Sequence, residues 1–350
     1  MPLKRRKAAG KKLPSKKNKY FAGGGGAAAA GAAAGRLAAV AYPHREKEMK
    51  LQANRAWVRW WSSRSATSSS RRYHPLSRSF ISGYYRAAGR KNPGIVPLST
   101  EKSVTAVINV SGKSAAVTSI LDQLRRLPLH EIIVVMSGPA DGVWQLVRAH
   151  PADPVLIYCA EPLGADAGRA VGAKAATSDI VLFVDESRAV SAEELLIFIR
   201  AVAAGSDLAL SGTGNGGHFG SRSSLSHISE FNNLVQGRRD LGAGSLSSYP
   251  HALSRQAIER LTPNRLAVPP LAQSLAVLSG LKVTAPASYA PGNNRRHSAI
   301  TQGRDSLRHE LVLGDVLESL HEQIAKNGPR AAYPDSQRRR EMVKEVIPCG

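Results

Sequence analysis

The stretch Gly164–Ser187, GADAGRAVGAKAATSDIVLFVDES, limits the possible folds of this chain more than any other. It reads as a loop, a helix, a buried strand and an acidic tip. Gly164, Gly168 and Gly172 recur every four residues, so on a helix they share one face bare of side chains that can lie flat on a sheet. Asp166 is placed to cap that helix, where a short acceptor satisfies free backbone N–H groups. Ile180–Val184 is unbroken apolar, the pattern of a strand covered on both sides. It ends in Asp185-Glu186. Ligands in open α/β sheets bind beyond the carboxyl ends of the strands, so chemistry is expected at this acidic pair. A surface turn after a core strand is the plain alternative.

The flanking sequence repeats the pattern. Val104–Val110 and Ile132–Met136 are β-rich runs, and Val155–Cys159 is a third. Between them Ala115–Leu127 has helical spacing, with Val117, Ile120, Leu121 and Leu124 on one face, and Val143–Ala149 forms a short helix. Ser191 with Glu194 makes a capping box for a helix over 192–203, and Leu208–Leu210 follows as a fifth strand. Strands alternating with helices imply a mostly parallel sheet with helices on both faces, an α/β fold.

Charge divides the chain. Residues 1–100 hold 22 Lys and Arg against two acids, Glu46 and Glu48, whereas the remainder holds 26 basic and 24 acidic side chains. A nucleic-acid or anionic-surface partner therefore attaches to the N-terminal segment, not to the folded body. Within it, Lys4–Lys19 is a basic run and Gly23–Ala34 is almost pure Gly and Ala. Such a tract buries too little apolar surface to offset chain entropy, and it lacks the large apolar residues of a membrane span or signal core. Trp57-Val58-Arg59-Trp60-Trp61 and a Ser/Arg tract to Arg78 follow. Aromatics between arginines suit base stacking or a bilayer interface, or are a local cluster in a disordered arm. Residues 1–100 thus read as a basic, largely disordered arm, 101–326 as the α/β domain and 327–350 as a flexible tail. Two cysteines, Cys159 and Cys349, build no disulfide framework or zinc site. The expected location is cytoplasmic, either free or peripheral to the inner face of a membrane.

The second half is less patterned. Thr213–Gly220 is a glycine-rich loop, fit to cover a ligand or to serve as a linker. His227–Leu234, Gln256–Leu261 and Leu271–Ser279 read as helices, and Leu281–Ala285 as the last core strand. His251 can act as a base or touch an acceptor hydroxyl; without a nameable partner it is equally a core histidine. Arg295, in the cluster Asn293–His297, can clamp a diphosphate through its guanidinium fork or sit in a solvated loop. Leu307–Ala325 is amphipathic, with Leu311, Leu313, Leu317, Leu320 and Ile324 partly on one face.

Four motifs, in order, resemble the nucleotide-sugar half of family 2 glycosyltransferases, which have the GT-A fold. They are Val107–Ser111, Ile133–Gly142 with its Ser-Gly-Pro-Ala-Asp-Gly turn, Gly168-Arg169-Ala170-Val171-Gly172, and Val184-Asp185-Glu186-Ser187. Together they span about a hundred residues. The resemblance implies transfer of a sugar from a nucleotide-diphosphate donor to a glycan, lipid or protein acceptor. By it Asn109, Ser111, Gly138, Asp141 and Gly164 line the nucleotide. Asp166 and Arg169 hold the nucleotide or ribose, and Asp185 and Glu186 face the diphosphate or a divalent Mg²⁺ or Mn²⁺, with Asp185 the metal ligand. The departures are specific. The family's first uracil-side Asp is Met136, the second Asp of its Asp-x-Asp is Ser187, and its Glu-Asp base position reads Val268-Pro269-Pro270. Adjacent side chains on a strand point to opposite faces, which separates Asp185 from Glu186. Two other readings stay open: an inactive nucleotide-sugar or glycan binder on the same fold, and a nucleic-acid or anionic-surface binder acting through the basic arm.

Overall fold

The computed structural model describes residues 24–41, 46–63, 70–111, 116–138, 142–164, 166–186, 189–212, 223–286 and 302–331, with 333–335, 338 and 342. Lys4–Lys19, Asp141, Ser187, Thr213–Gly220 and Arg295 lie outside these residues.

Three runs form the centre of a sheet: β1 (Val104–Ser111), β2 (Glu131–Ser137) and β4 (Ile180–Asp185), with β3 (Val155–Cys159) beside β2. All pair in parallel, β1 lying between β2 and β4. Beyond β4 come β6 (His251–Ser254), β5 (Leu208–Ala209) and β7 (Val283–Thr284). Only β6 runs against its neighbours. The result is the α/β, mostly parallel sheet that the alternation implies.

The strands' period of two sends alternate residues to opposite layers. Ala106, Ile108, Val134 and Leu182 pack on one face, against α4 (Val117–Arg125) and α7 (Ala192–Ala203). Val107, Ile133, Val135, Val181 and Phe183 pack on the other, against α6 (Ala167–Ala175), α9 (Arg255–Leu261) and α10 (Pro269–Leu278). The capping box at Ser191 and Glu194 forms as expected. A short α5 (Val143–Arg148) links β2 to β3, while α8 (Ser224–Val235) and the long α11 (Gln302–Asn327) complete the second half. On α11 the buried line is Val312, Val316, Ser319 and Gln323; Leu311, Leu313, Leu317 and Ile324 face outward, against the expectation that the leucines mark the packed face.

The N-terminal segment departs most from its sequence reading. Residues 24–87 are not a disordered arm where described. They form α1 (Gly24–Ala41), α2 (Glu46–Ser62) and α3 (Ser70–Ala87), whose buried side chains join the core of the first face. Two features make this possible. The first is Trp57, fully buried, with its ring 5.5 Å from Trp60, 5.3 Å from Trp61, 5.4 Å from Tyr73 and 5.5 Å from Phe80. The tryptophans thus pack inward instead of presenting a stacking platform. The second is glycine. A Cβ at Gly31 would overlap the carbonyl oxygen of Phe80, at Gly35 that of Tyr84, and at Gly83 that of Ala28. Absent side chains let the α1 and α3 backbones touch, so a tract with few apolar side chains still buries a surface. On an exposed helix Gly→Ala stabilises by about 1 kcal/mol. Here Gly35→Ala is expected to destabilise by about 1–3 kcal/mol, the usual cost of overpacking, while Gly25→Ala, where a Cβ meets open space, stabilises. Urea unfolding of the two variants checks the opposite signs.

α2 is also tied to the body by Asn54, which accepts from Leu98 N at 2.6 Å and donates to Thr100 O at 3.0 Å. No described helix is long and apolar enough to cross a membrane.

Candidate functional site

The carboxyl ends of β1, β2 and β4 and the start of α6 meet along one edge. Asn109 stands beside Asp185 in the β1–β4 register. Its side chain lies under Gly168, where a Cβ would overlap Asn109 Oδ1, and Gly172 rests likewise on Val107. The glycine face of α6 thus lies flat on β1, as its spacing implies. Asn109 Oδ1 is buried with no hydrogen-bond donor among the described residues. Gly138 leaves β2 with φ 53°, its N–H donating to Cys159 O at 3.0 Å and its Cα facing Pro162. Gly164, with φ 87°, opens the loop into α6.

Glu186 has a defined job. Ser111 N lies 3.0 Å from each of its carboxylate oxygens, and Ser111 Oγ donates to Oε1 at 2.7 Å. This clasp joins the ends of β1 and β4 and engages the carboxylate assigned to diphosphate or metal. Asp185, at the strand tip, is half-buried.

Asp166 is the N-cap residue of α6 but makes no side-chain cap bond. It is drawn instead to Arg169, Nη2 to Oδ1 2.9 Å, and this correction is physical: a buried guanidinium demands a carboxylate more strongly than a helix end does. The Arg169 side chain has no exposed surface. Its Nε donates to Tyr249 Oη at 3.2 Å, its guanidinium sits 4.7 Å over the Tyr249 ring, and Nη1 has no hydrogen-bond acceptor among the described residues. Tyr249 precedes β6, and burial, more than any charge nearby, raises its pKa.

His251 does not fit the role of base. It is fully buried within the sheet, opposite Phe183 in the β4–β6 register and stacked on that ring at 5.1 Å. Nδ1 is 2.8 Å from Ser248 O. Burial first, then Arg169, pulls its pKa well below the ordinary imidazole value. A neutral ring with no exposed surface cannot reach an acceptor hydroxyl, so His251 is part of the floor.

Two residues went unread in the sequence, Tyr249 and Asp315. Asp315 comes from α11, and its carboxyl is pushed up to about 6, first by burial, then by Asp166 and Glu318, with Arg169 opposing. The helical pattern of α11 drew attention to its leucines, and nothing local marks this one acid among several. Met136, at the family's uracil-side position, is fully buried in the core. A separate cavity of about 300 Å³, lined by Lys47, Lys50, Arg125 and His130, opens at the amino ends of β2 and β3. It is at the wrong end of the strands for the site.

Residues 114–261 match the family model of glycosyl transferase family 2. The α/β domain is family 2 glycosyltransferase-like. Its architecture is of the GT-A type, and the glycine helix, the Asp185 tip and the β6 return all lie inside the matched segment. Among curated proteins no sequence matches. Similar solved structures include a mannosyltransferase from Pyrobaculum calidifontis in complex with GDP-Man and Mn²⁺ (17% identity, 68% of this chain and 80% of that one, TM-score 0.41). Another is glucosyl-3-phosphoglycerate synthase from Mycobacterium tuberculosis with Mn²⁺, UDP and glucosyl-3-phosphoglycerate (18%, 67% and 82%, 0.44). A third is mannosyl-3-phosphoglycerate synthase from Rubrobacter xylanophilus (13%, 70% and 80%, 0.47). Likenesses this distant say nothing of this chain's donor or acceptor.

Among the described residues no group of three His, Cys, Asp or Glu is placed to hold an ion, and Glu186 is engaged by Ser111. Mg²⁺ and its kin, however, bind through one or two carboxylates plus substrate phosphates. Asp185 suits an ion shared with a donor diphosphate, not one held by the protein alone.

Proposed function

We propose that the domain transfers a sugar from a nucleotide-diphosphate donor to an acceptor hydroxyl. The observation that carries this is the gathering of Asn109, Asp185 and the Asp166–Arg169–Tyr249 cluster on the carboxyl edge of a family 2-like sheet. The nucleotide lies across Asn109, Ser111, Gly138 and Gly164. Asn109 Oδ1, a buried acceptor without a donor, suits a base or ribose N–H or O–H. Arg169 and Asp166 set the floor beneath it. Asp185 meets the diphosphate through a divalent cation, whose chemistry is to neutralise the leaving phosphates. Residues 101–210 form the donor half and 211–326 the acceptor half, while the basic residues of the N-terminal segment serve an anionic surface.

A thermal-shift series with UDP, GDP and their sugars, with and without Mn²⁺, tests the reading. A ligand that binds only the native state adds about 2.7 kcal/mol of stability at a hundred times its Kd. Asp185→Ala is expected to remove the Mn²⁺-dependent part of that gain, measured against the variant's own unliganded Tm. A gain that survives unchanged in the variant sinks the role given to Asp185.

The second reading, binding without turnover, is favoured by Met136 in the core and by the start of α10 at Pro269, where the family resemblance puts its base. Donor binding with no release of nucleoside diphosphate would select it.

A further inference from the structure

The cavity at the amino ends of β2 and β3 is walled by the N-terminal helices and the α/β body together. Its residues come from α2, the end of α4, the start of β2 and the loop before β3. About 300 Å³ is room for roughly ten water-sized groups at about 30 Å³ each. Leu124, Leu127, Leu129 and Ile132 give it an apolar floor. β2 is 7 residues long, so at about 3.3 Å per residue the cavity lies about 20 Å from the carboxyl edge.

Two of its groups lack the partner that burial demands. Lys50 is partly buried, and its Nζ donates to Arg125 O at 2.8 Å. A carbonyl does not neutralise an ammonium, which has two further N–H groups to place. Glu46, the acid that attracts Lys50, is paired with Arg125 at 3.3 Å. Burial outweighs Glu46, and the Lys50 pKa falls to about 8, with Arg125 and Lys47 lowering it further. Glu131 lines the same cavity, and its Oε2 is buried with no hydrogen-bond partner among the described residues. A buried cation and a buried carboxylate oxygen are each costly alone, yet Lys50 does not supply Glu131 Oε2 with a donor. Lys47 stands one turn before Lys50 on α2 and is exposed. His130 Nδ1 accepts from Val104 N at 3.2 Å, which leaves Nε2 to carry the ring proton. Asp153, in the loop before β3, is exposed.

We propose that this cavity is a second ligand site, for a small oxyanion, phosphate or carboxylate, that also carries a hydroxyl. The oxyanion meets Lys50 and Lys47, and the hydroxyl donates to Glu131. An anion without a hydroxyl would face the Glu131 carboxylate unrelieved. A polyol without an anion would leave Lys50 uncompensated. Because the walls come from α2 and from the sheet, an occupant fastens the N-terminal helices to the α/β body. The assignment is independent of the transferase reading.

Thermal shift and titration calorimetry of the full chain test it, with glycerol 3-phosphate, glycerate, inorganic phosphate and glycerol as probes. Glycerol 3-phosphate or glycerate is expected to bind about tenfold more tightly than phosphate, the share of one hydrogen bond to a charged group. The stronger of the two names the oxyanion, and glycerol should not bind. Lys50→Met keeps the packing of the apolar stem and removes the charge, and should weaken the binding about tenfold or more. Lys47 is exposed, so Lys47→Met leaves the fold intact and should weaken binding severalfold. Glu131→Gln should shrink the preference for the hydroxylated probe over phosphate. Affinity should fall as pH rises through about 8, where Lys50 loses its proton, and Lys50→Met should lack that fall. Excess UDP should leave the affinity unchanged, which separates this cavity from the carboxyl edge. The proposal is overturned if neither hydroxylated probe raises Tm, if binding is the same in Lys50→Met and Lys47→Met as in the wild type, or if UDP displaces the probe.

Discussion

Trp57→Ala is expected to destabilise the protein by about 3–5 kcal/mol, the range for emptying a large buried aromatic site. Trp57 has no exposed surface, and four aromatic rings lie within 5.5 Å of its own. Its removal also breaks a polar chain. Trp57 Nε1 donates to Tyr73 Oη at 3.0 Å, and Tyr73 Oη donates to Pro97 O at 2.8 Å. Arg200 of α7 lies 4.6 Å over the Tyr73 ring, so this chain links α2 and α3 to a helix of the α/β body. Trp57→Phe, which keeps most of the packing and loses only the donor, should cost about 1–2 kcal/mol. Urea unfolding followed by far-UV circular dichroism and by limited trypsin cleavage separates two outcomes. If the N-terminal helices are one cooperative unit with the sheet, the midpoints of both probes fall together. A loss of less than about 1 kcal/mol, with early cleavage before residue 90 in the wild type, would return the segment to the status of a loose arm.

The contrast between the sheet and this segment shows what a sequence displays of its fold. β1, β2 and β4 are buried on both faces, so their code is a continuous apolar run that needs no context. The α6 glycines were legible because a spacing of four has one helical meaning. α1 has the same chemistry, yet its Gly/Ala tract reads as low complexity, because the surface it buries is backbone. Only the partner residues, Ala28, Phe80 and Tyr84, turn Gly31, Gly35 and Gly83 from flexible positions into contact points. The Trp cluster was ambiguous for the same reason: its partner Tyr73 lies across an intervening segment. At the site, residues at strand ends were legible from topology, whereas their partnerships were not. Asp166 looked like a cap until a buried arginine claimed it. Glu186 was expected to face the diphosphate or metal, and nothing in the sequence signalled that Ser111 would hold its carboxylate.

Asp166→Ala is expected to cost about 3–5 kcal/mol, because it leaves a buried charge uncompensated. Arg169 has no exposed side-chain surface, and Asp166 is the one carboxylate within ion-pair distance of it among the described residues. Tyr249 offers a hydroxyl and a ring face, which orient the guanidinium without neutralising it. Asp315 attracts it from further away. Arg169→Met should cost less than Asp166→Ala, since Asp166 keeps some access to water and Met fills the space. The double variant Asp166→Ala/Arg169→Met should then be more stable than Asp166→Ala alone, a coupling of about 1–3 kcal/mol by double-mutant cycle. Its nucleotide binding decides what the pair is for. If Arg169 only supports the floor, the double variant folds and still gains stability from UDP or GDP. If Arg169 turns its unpaired Nη1 toward the donor, binding is lost while the fold is kept, and a buried cation has been retained for the ligand at a cost in stability.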